Sequence, residues 1–557
     1  MKIEVKGHSG CQIDVVNEGN EIYVYKSTAD PKYIKRLVLQ AEKQRAAAEI
    51  EHQHIRVPKI YDIEKTDETV VVKMQYVYSK NFIEFFEQAG FEQVDYLIGA
   101  LEYFVEHEIS KSKLQTVSSK IFQDKFSEIK CKCEHNPLYQ DDERIASILS
   151  RSELVFTNLK DMLIPVGLCH GDLTFSNILF NGNNYYLIDF LDSFLETPLQ
   201  DIVKLRQDTR YRWSQLMYTK RYDAVRLHIV LDKIDREIDS YFSNKYEWYR
   251  TNYPVMQLMN ILRILPYAHE EKVLCFLKET LESLLDGLDG KRYVENVGDC
   301  GEGTSSQTFS NPLNTRKSLL VPVAADKPEY ENGLPYVFGL DKDGVIICIK
   351  SIMGLEFEKF DNIYFTVLRK HNERFFVADS LKLQFKRLGI KNAKVVVLDE
   401  PTQDQAETIY RTIMLERIED SIFIKDADCF FRTDLTDGNA VAIFPIEQLE
   451  VLSPKDKSYA AVDDMYYLTN IIEKTVVGRY ISAGGYAIKR VETFLYYYNC
   501  LRQYGRLYLS HIIYAMLLDK KPFRPMMVEE YKDWGTQRDL MRYVSMFNKS
   551  RIIKLED

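Results

Sequence analysis

Between Asp289 and Ser318 the chain reads DGKRYVENVGDCGEGTSSQTFSNPLNTRKS, a polar run rich in Gly, Ser, Thr and Asn without helical periodicity. A stretch of this kind adds nothing to a hydrophobic core, so it divides the chain. The 557 residues also exceed what one core usually serves. The expected organisation is a domain over residues 1–288, a linker over 289–317 and a second domain over 318–557.

The two halves carry different patterns. Before the linker, Glu21–Lys26 and Thr69–Tyr76 alternate as strands and Tyr33–His52 is helical. Phe91–Glu108, Tyr222–Tyr241 and Tyr253–Leu288 continue as long helices. A small sheet with one helix followed by a helical lobe is an α+β, bilobal arrangement. After the linker, Leu319–Val323, Asn362–Leu368, Ala393–Leu398 and Ser421–Lys425 are short apolar runs spaced by helical segments. They predict an α/β domain with a mostly parallel, helix-covered sheet.

Composition narrows the function classes. A net charge of −10 argues against a nucleic-acid partner, which demands a basic face. No run of about 18 apolar residues predicts a membrane span, and the N-terminus lacks a signal-peptide core. Nine cysteines show no zinc or disulfide spacing; Cys131-Lys-Cys133 with His135 lacks a second ligand pair. The expectation is a soluble, cytoplasmic protein in a reducing compartment, with no membrane or nucleic-acid partner. Oligomeric state is not encoded in any of these features.

The densest chemistry lies at His170-Gly-Asp172-Leu-Thr-Phe-Ser-Asn177-Ile-Leu-Phe, followed by Asn181-Gly-Asn-Asn184 and Tyr185–Ile188 ahead of Asp189. Apolar runs around an Asn-Gly turn predict a tight hairpin that brings Asn177 and Asp189 to one site. An amide carbonyl and a carboxylate there suit Mg²⁺ with its phosphate and water ligands. Asp172 is then placed to accept the proton of an attacking hydroxyl. Upstream, Lys26 ends a strand, and Glu42, sixteen residues later on the helix, is the expected ion-pair partner, with Glu49 as the alternative. Gly7, Ser9 and Gly10 form a small-residue turn that lets backbone amides approach a phosphate.

At these residues the first domain resembles the aminoglycoside phosphotransferase and choline kinase superfamily, here as HGDLTFSN with LIDF at Leu187–Phe190. The resemblance implies a protein-kinase-like fold and ATP as donor, with Met74–Val77, including Tyr76, as the adenine hinge. It also implies that Asp201 is a buried carboxylate supporting the catalytic loop. Tyr211, Trp213 and Trp248 offer an aromatic cage for a quaternary ammonium, or are ordinary core aromatics.

In the second domain Asp426 and Asp428 follow an apolar strand, where open α/β sheets build ligand sites. Asp533 supplies another carboxylate, and if Asp428 and Asp533 meet they form a divalent-cation site. Lys474 is suited to an anionic phosphate, Glu473 to a hydroxyl, and Gln405 to a base edge. In this order the features resemble the sugar-phosphate and phosphocholine nucleotidyltransferases, with a GT-A/Rossmann-like sheet. That likeness implies Asp428 and Asp533 as metal ligands, Glu473 and Lys474 at the phosphorylated substrate, and Gln405 at the base. The family's glycine-rich turn is replaced by Val321-Pro-Val-Ala-Ala-Asp-Lys327-Pro, and Tyr336 stands where a lysine is expected.

Together these features predict a bifunctional enzyme. It phosphorylates a sugar, choline or polyol with ATP, then transfers a nucleotidyl group from a second NTP to the product, for surface-polysaccharide or cell-envelope assembly. The alternatives are a kinase with a non-catalytic nucleotide-sugar-binding domain, and an antibiotic-modifying phosphotransferase.

Overall fold

A computed structural model of the chain describes residues 2–6, 11–50, 52–139, 141–191, 193–290, 316–324, 329–449 and 457–535. Most of the expected linker, and the candidate residues Gly7, Ser9, Gly10 and Lys327, lie outside the described residues. The chain forms two compact units. The first is drawn from Met1–Glu87, Gln93–Asp223 and Val230–Val297, the second from Gln88–Glu92, Ala224–Ile229 and Gly298–Asp557.

In the first unit five antiparallel strands run in the order Lys2–Lys6, Gln12–Glu18, Glu21–Thr28, Val70–Gln75, Ile60–Lys65. The helix Pro31–Ala48 starts where Asp30 accepts the Lys32 N–H at 2.9 Å, with proline at its first position. Its buried residues Ile34, Leu37, Ala41, Gln44 and Ala47 recur at three- and four-residue spacing. The first three pack against Val70 and Val72 of the sheet.

The rest of this unit is mainly helical, and Tyr253–Leu288, expected as one helix, is two. Glu247–Leu262 ends before a short turn Leu265–Tyr267, and Glu271–Leu288 resumes beyond it. Pro266 is the cause: it has no N–H to continue the ladder and disfavours helical geometry at the residue before it. The helix Pro198–Thr209 is the most deeply buried, and Arg206 anchors it. Its guanidinium donates twice to Asp235, at 2.9 Å each, and reaches Asp239 at 2.6 Å and the Tyr249 hydroxyl at 2.9 Å.

In the second unit Lys317–Pro322 lies between Asn362–Leu368 and Ser421–Lys425, with Ala393–Leu398 beyond, all parallel. Flanked on both edges and buried along its length, Lys317–Pro322 needs apolar residues on both faces. The expectation of a mostly parallel sheet holds for these four strands and for the edge pair Ala440–Pro445 with Arg524–Met527. Tyr480–Ile488 runs antiparallel to both Ser421–Lys425 and Ala440–Pro445. The reason is connectivity: parallel neighbours need a long crossover, usually helical, and no α-helix lies between Lys425 and Val491 among the described residues.

Asp235→Ala leaves a buried guanidinium without its two-point partner, an expected cost of about 3–5 kcal/mol. Urea unfolding followed by circular dichroism checks it through a lowered midpoint for the first unit.

Candidate functional site

The segment His170–Asn177 is held by one face of the helix Pro198–Thr209. Asp201, Lys204 and Asp208 stand three and seven residues apart, hence on one side of it. Asp201 accepts the backbone N–H of His170 and of Gly171, at 2.5 and 2.7 Å. Asp208 accepts the N–H of Phe175 at 2.6 Å and the hydroxyl of Ser214 at 2.9 Å. Between them the Lys204 ammonium lies 3.0 Å from Asp172. Gly171 has a left-handed φ of 88°, and a Cβ there would sit 2.2 Å from the Leu191 carbonyl oxygen, so only glycine fits.

After Asp172 the chain makes a tight turn at Phe175–Asn177. The expected hairpin follows, Ile178–Asn181 against Asn184–Leu187, closed by Gly182 at φ 57°. The Asn177 amide donates to both the backbone carbonyl and the carboxylate of Asp172, at 2.8 and 2.9 Å. Ile188, just before Asp189, donates its N–H to the Asn177 carbonyl at 3.0 Å, and its carbonyl lies 2.9 Å from His170 Nε2. Asp189 itself takes a left-handed φ of 62° and lies 2.6 Å from the Lys26 ammonium. These bonds join Asp172, Asn177, Asp189 and Lys26 into one constellation.

Glu42 is not part of it. It is solvent-exposed, as is Glu49 at the helix C-terminus, and Lys26 pairs with Asp189 instead. The neighbouring helix residue, Lys43, points inward and reaches both Glu196 and the Leu191 carbonyl at 2.7 Å. Met74, on the strand Val70–Gln75, and Tyr76 just after it are half-buried. The three aromatics considered as a cage pack with separate partners: Trp213 with Phe276, Trp248 with Tyr246, and Tyr211 beneath Arg210.

The electrostatics follow from burial and charge. Burial pushes the Asp172 carboxyl up, but Lys204 and the Asn177 amide outweigh it and leave its pKa below the usual value. Asp172 is therefore an ionised acceptor of protons. Glu108 is pushed well above the carboxylate range by burial and then by Asp201, to which it is hydrogen-bonded. Burial raises Asp201 as well, but the Glu108 hydrogen bond and the two backbone N–H groups oppose that rise, so in this pair Glu108 carries the proton.

The second unit gathers its carboxylates at the end of Ser421–Lys425. Asp426 donates its N–H to the Gly484 carbonyl at 2.9 Å, and ligand atoms of Asp426, Asp428 and Cys429 lie within 4.8 Å of one another. Cys429 pairs in register with Asp533, and Trp534 donates its N–H to the Asp428 carbonyl at 2.7 Å. Asp428 and Asp533 are thereby brought together: a Cβ on Gly535 would lie 3.1 Å from an Asp533 oxygen and 3.9 Å from one of Asp428. Gly484, at φ 79°, is required as glycine because a Cβ would come within 2.6 Å of the Asp426 carboxylate.

Lys457, absent from the sequence reading, is ion-paired with Asp533 and 3.2 Å from the Tyr531 hydroxyl. Buried Lys425 donates to the carbonyls of Asp426 and Cys429, at 2.9 and 2.8 Å. Burial pushes the Cys429 thiol up to about 11 against the pull of Lys425, so it is a protonated thiol at neutral pH. Gln405 spends its amide N–H on Asp426 at 2.5 Å. Glu473 accepts the hydroxyls of Ser458 and Ser510, at 2.6 and 2.5 Å, while exposed Lys474 lies 3.3 Å from the Tyr508 hydroxyl. Tyr336 is a core residue, clustered with Ile347, Phe430 and Trp534 beneath the Asp533 turn.

A metal is implied by both sets. In the second unit the carboxylates of Asp426 and Asp428 are close enough to share one ion, with Asp533 alongside, and like Asn177 and Asp189 in the first unit they offer the hard oxygen donors that Mg²⁺ takes. In each set an ammonium already stands against one carboxylate, Lys26 at Asp189 and Lys457 at Asp533, which marks a place where positive charge is stabilised.

Residues 27–228 match the sequence model of the phosphotransferase enzyme family. The match takes in Asp172, Asn177 and Asp189 of the first unit, begins one residue after Lys26, and includes none of the carboxylates of the second. Among solved structures, a thermostable mutant of an aminoglycoside phosphotransferase is similar at 13% identity and TM-score 0.35, covering 52% of this chain and 95% of its own. An inositol-1-phosphate CTP transferase from T. maritima is similar at 11% identity and TM-score 0.34, covering 42% and 96%. A UDP-glucose pyrophosphorylase is similar at 12% identity and TM-score 0.34, covering 42% and 99%. A search of the curated proteins returns no match. No described helix is long and apolar enough to cross a membrane.

Lys204→Met removes the charge that keeps Asp172 ionised, so the Asp172 pKa rises. The acid limb of the phosphotransfer rate profile is expected to move upward by about 1–3 pH units, as read from kcat/KM against pH.

Proposed function

We propose that the first unit transfers the γ-phosphoryl group of ATP to the hydroxyl of a small molecule. The observation that carries this reading is Asp172: half-buried, ionised and fixed by Lys204 and Asn177 within the segment that matches the phosphotransferase family. The hydroxyl oxygen attacks the γ-phosphorus, the bond to the β–γ bridging oxygen breaks, ADP leaves, and Asp172 takes the hydroxyl proton. Lys26 neutralises phosphate charge, and Asp201 and Asp208 keep the loop from moving as charge develops. Mg²⁺ held by Asn177 and Asp189 would supply charge neutralisation at the phosphates.

The second unit is read as a nucleotidyltransferase acting on that product. The product's phosphate oxygen attacks the α-phosphorus of an NTP such as CTP or UTP, and pyrophosphate leaves. Asp426, Asp428 and Asp533 would hold the metal, and Lys425 fixes the loop that carries two of them. The activated product suits surface-polysaccharide or cell-envelope assembly, and the use of ATP and a second NTP suits a cytoplasmic enzyme. A second reading, a non-catalytic nucleotide-sugar-binding domain, is favoured by the packing of Tyr336 into the core where a phosphate-gripping lysine is expected.

Phosphorus NMR of the protein with ATP, CTP, UTP and a panel of alcohols tests both steps. Asp172→Asn is expected to slow phosphate-monoester formation by roughly 10²–10⁴-fold. Asp428→Ala with Asp533→Ala is expected to abolish the pyrophosphate diester and keep the monoester. A wild type that forms the monoester and never the diester leaves the second reading standing.

A further inference from the structure

The bonds around Asp189 show what sets its geometry, an inference that rests on the phosphotransfer reading above. Asp189 takes a left-handed φ of 62°, a conformation that a residue with a side chain keeps only where its surroundings impose it. Before it, Ile188 donates its N–H to the Asn177 carbonyl at 3.0 Å, and the Ile188 carbonyl lies 2.9 Å from His170 Nε2. After it, Leu191 donates its N–H to the His170 carbonyl at 3.0 Å, and the Leu191 carbonyl accepts the Lys43 ammonium at 2.7 Å. Three of these four bonds are made with the segment His170–Asn177. The fourth comes from the helix Pro31–Ala48, 148 residues away in sequence.

The Lys43 side chain is 11% exposed, and its ammonium also meets Glu196 Oε2 at 2.7 Å. Through Oε1 the same carboxylate accepts the Ser193 N–H at 2.8 Å, and the Cys169 thiol lies 3.4 Å from Oε2. Glu196 therefore joins the helix lysine to the loop after Asp189 and to the residue before His170. The Leu191 carbonyl has no room to retreat, since Gly171 stands so close that a Cβ there would lie 2.2 Å from the oxygen. An ion pair with Glu196 alone would fasten the helix to the loop. The second bond, to a carbonyl two residues beyond Asp189, fixes the turn itself.

We propose that Lys43 is a positioning residue: by holding the Leu191 carbonyl and Glu196 it keeps Asp189 in the geometry that takes a divalent cation. The helix Pro31–Ala48 then acts on the metal ligand, where a helix glutamate acting on Lys26 was expected. Glu42 is exposed, and the Lys26 ammonium rests on Asp189 at 2.6 Å. Groups that orient a metal ligand without touching the ion typically change metal affinity or activity by about 10–100-fold when removed. A displacement of the helix away from the loop therefore loosens Asp189 and lowers metal loading at the phosphotransfer site.

Mn²⁺ binding in the presence of ADP is followed by electron paramagnetic resonance, using the full chain with Asp428→Ala and Asp533→Ala so that these carboxylates of the second unit do not contribute. Lys43→Met is expected to weaken Mn²⁺ binding by about tenfold or more. It is also expected to raise, by a similar factor, the Mg²⁺ concentration that gives half the maximal rate of phosphate-monoester formation, with the acceptor KM nearly unchanged. Lys43→Arg, a cation at the same place, is expected to recover part of the loss, and Glu42→Gln to bind Mn²⁺ as the parent chain does. Unchanged Mn²⁺ affinity in Lys43→Met overturns the inference, and so does an equal loss in Glu42→Gln. If Lys43→Met does not fold, Glu196→Gln removes the charge partner and keeps an acceptor for Ser193; it is expected to weaken Mn²⁺ binding in the same direction, and an unchanged affinity there overturns the inference as well. A parent chain that binds Mn²⁺ with ADP and forms no phosphate monoester from any alcohol sinks the phosphotransfer reading alone, because the Mn²⁺ titration still reads Lys43.

Discussion

Two backbone N–H groups, those of His170 and Gly171, point at one buried carboxylate, Asp201, and the first unit is organised around keeping that carboxylate charged and in place. Its charge is kept because the neighbouring Glu108 holds the proton that burial would otherwise drive onto one of the pair. Its position is kept because Arg206, on the same helix, is locked to Asp235 and Asp239 in the adjoining helix. A buried ion pair adds little net stability, yet breaking it is expensive. Here it fixes a rigid bar carrying Asp201, Lys204 and Asp208, and the bar grips the segment from His170 to Phe175 at both ends and in the middle.

The second unit solves a similar positioning problem with backbone rather than a helix. Asp426 and Asp428 leave the end of a buried strand, and the antiparallel strand Tyr480–Ile488 supplies Gly484, whose missing side chain leaves room for the Asp426 carboxylate. The short ladder between Cys429–Arg432 and Glu529–Asp533 then carries Asp533 alongside. One antiparallel strand of the large sheet and a separate two-stranded antiparallel ladder are therefore what bring carboxylates more than a hundred residues apart to one place.

Much of this was legible in the sequence where local chemistry decides. The Asn-Gly turn dictates a hairpin, and Asp172, Asn177 and Asp189 are each within a few residues of it. Asp428 and Asp533 sit at strand ends and were read as partners. What escaped is long-range and depends on which side of an element faces inward. Helical spacing alone does not say that Glu42 and Glu49 face solvent; packing of Ile34, Leu37 and Ala41 on the sheet turns Glu42 out and its neighbour Lys43 in. Lys204 is detectable in principle, three residues after Asp201 on the same face, whereas Lys457 and Glu108 announce themselves only once the chain is folded.

The ammonium groups that rest on Asp189 and Asp533 set an order of events. A bare divalent ion reaching either aspartate must compete with a lysine already bound there, and gains little. On the functions proposed above, a nucleotide that arrives with its ion would offer the displaced lysine a phosphate in exchange, so that ion and nucleotide would load as one particle.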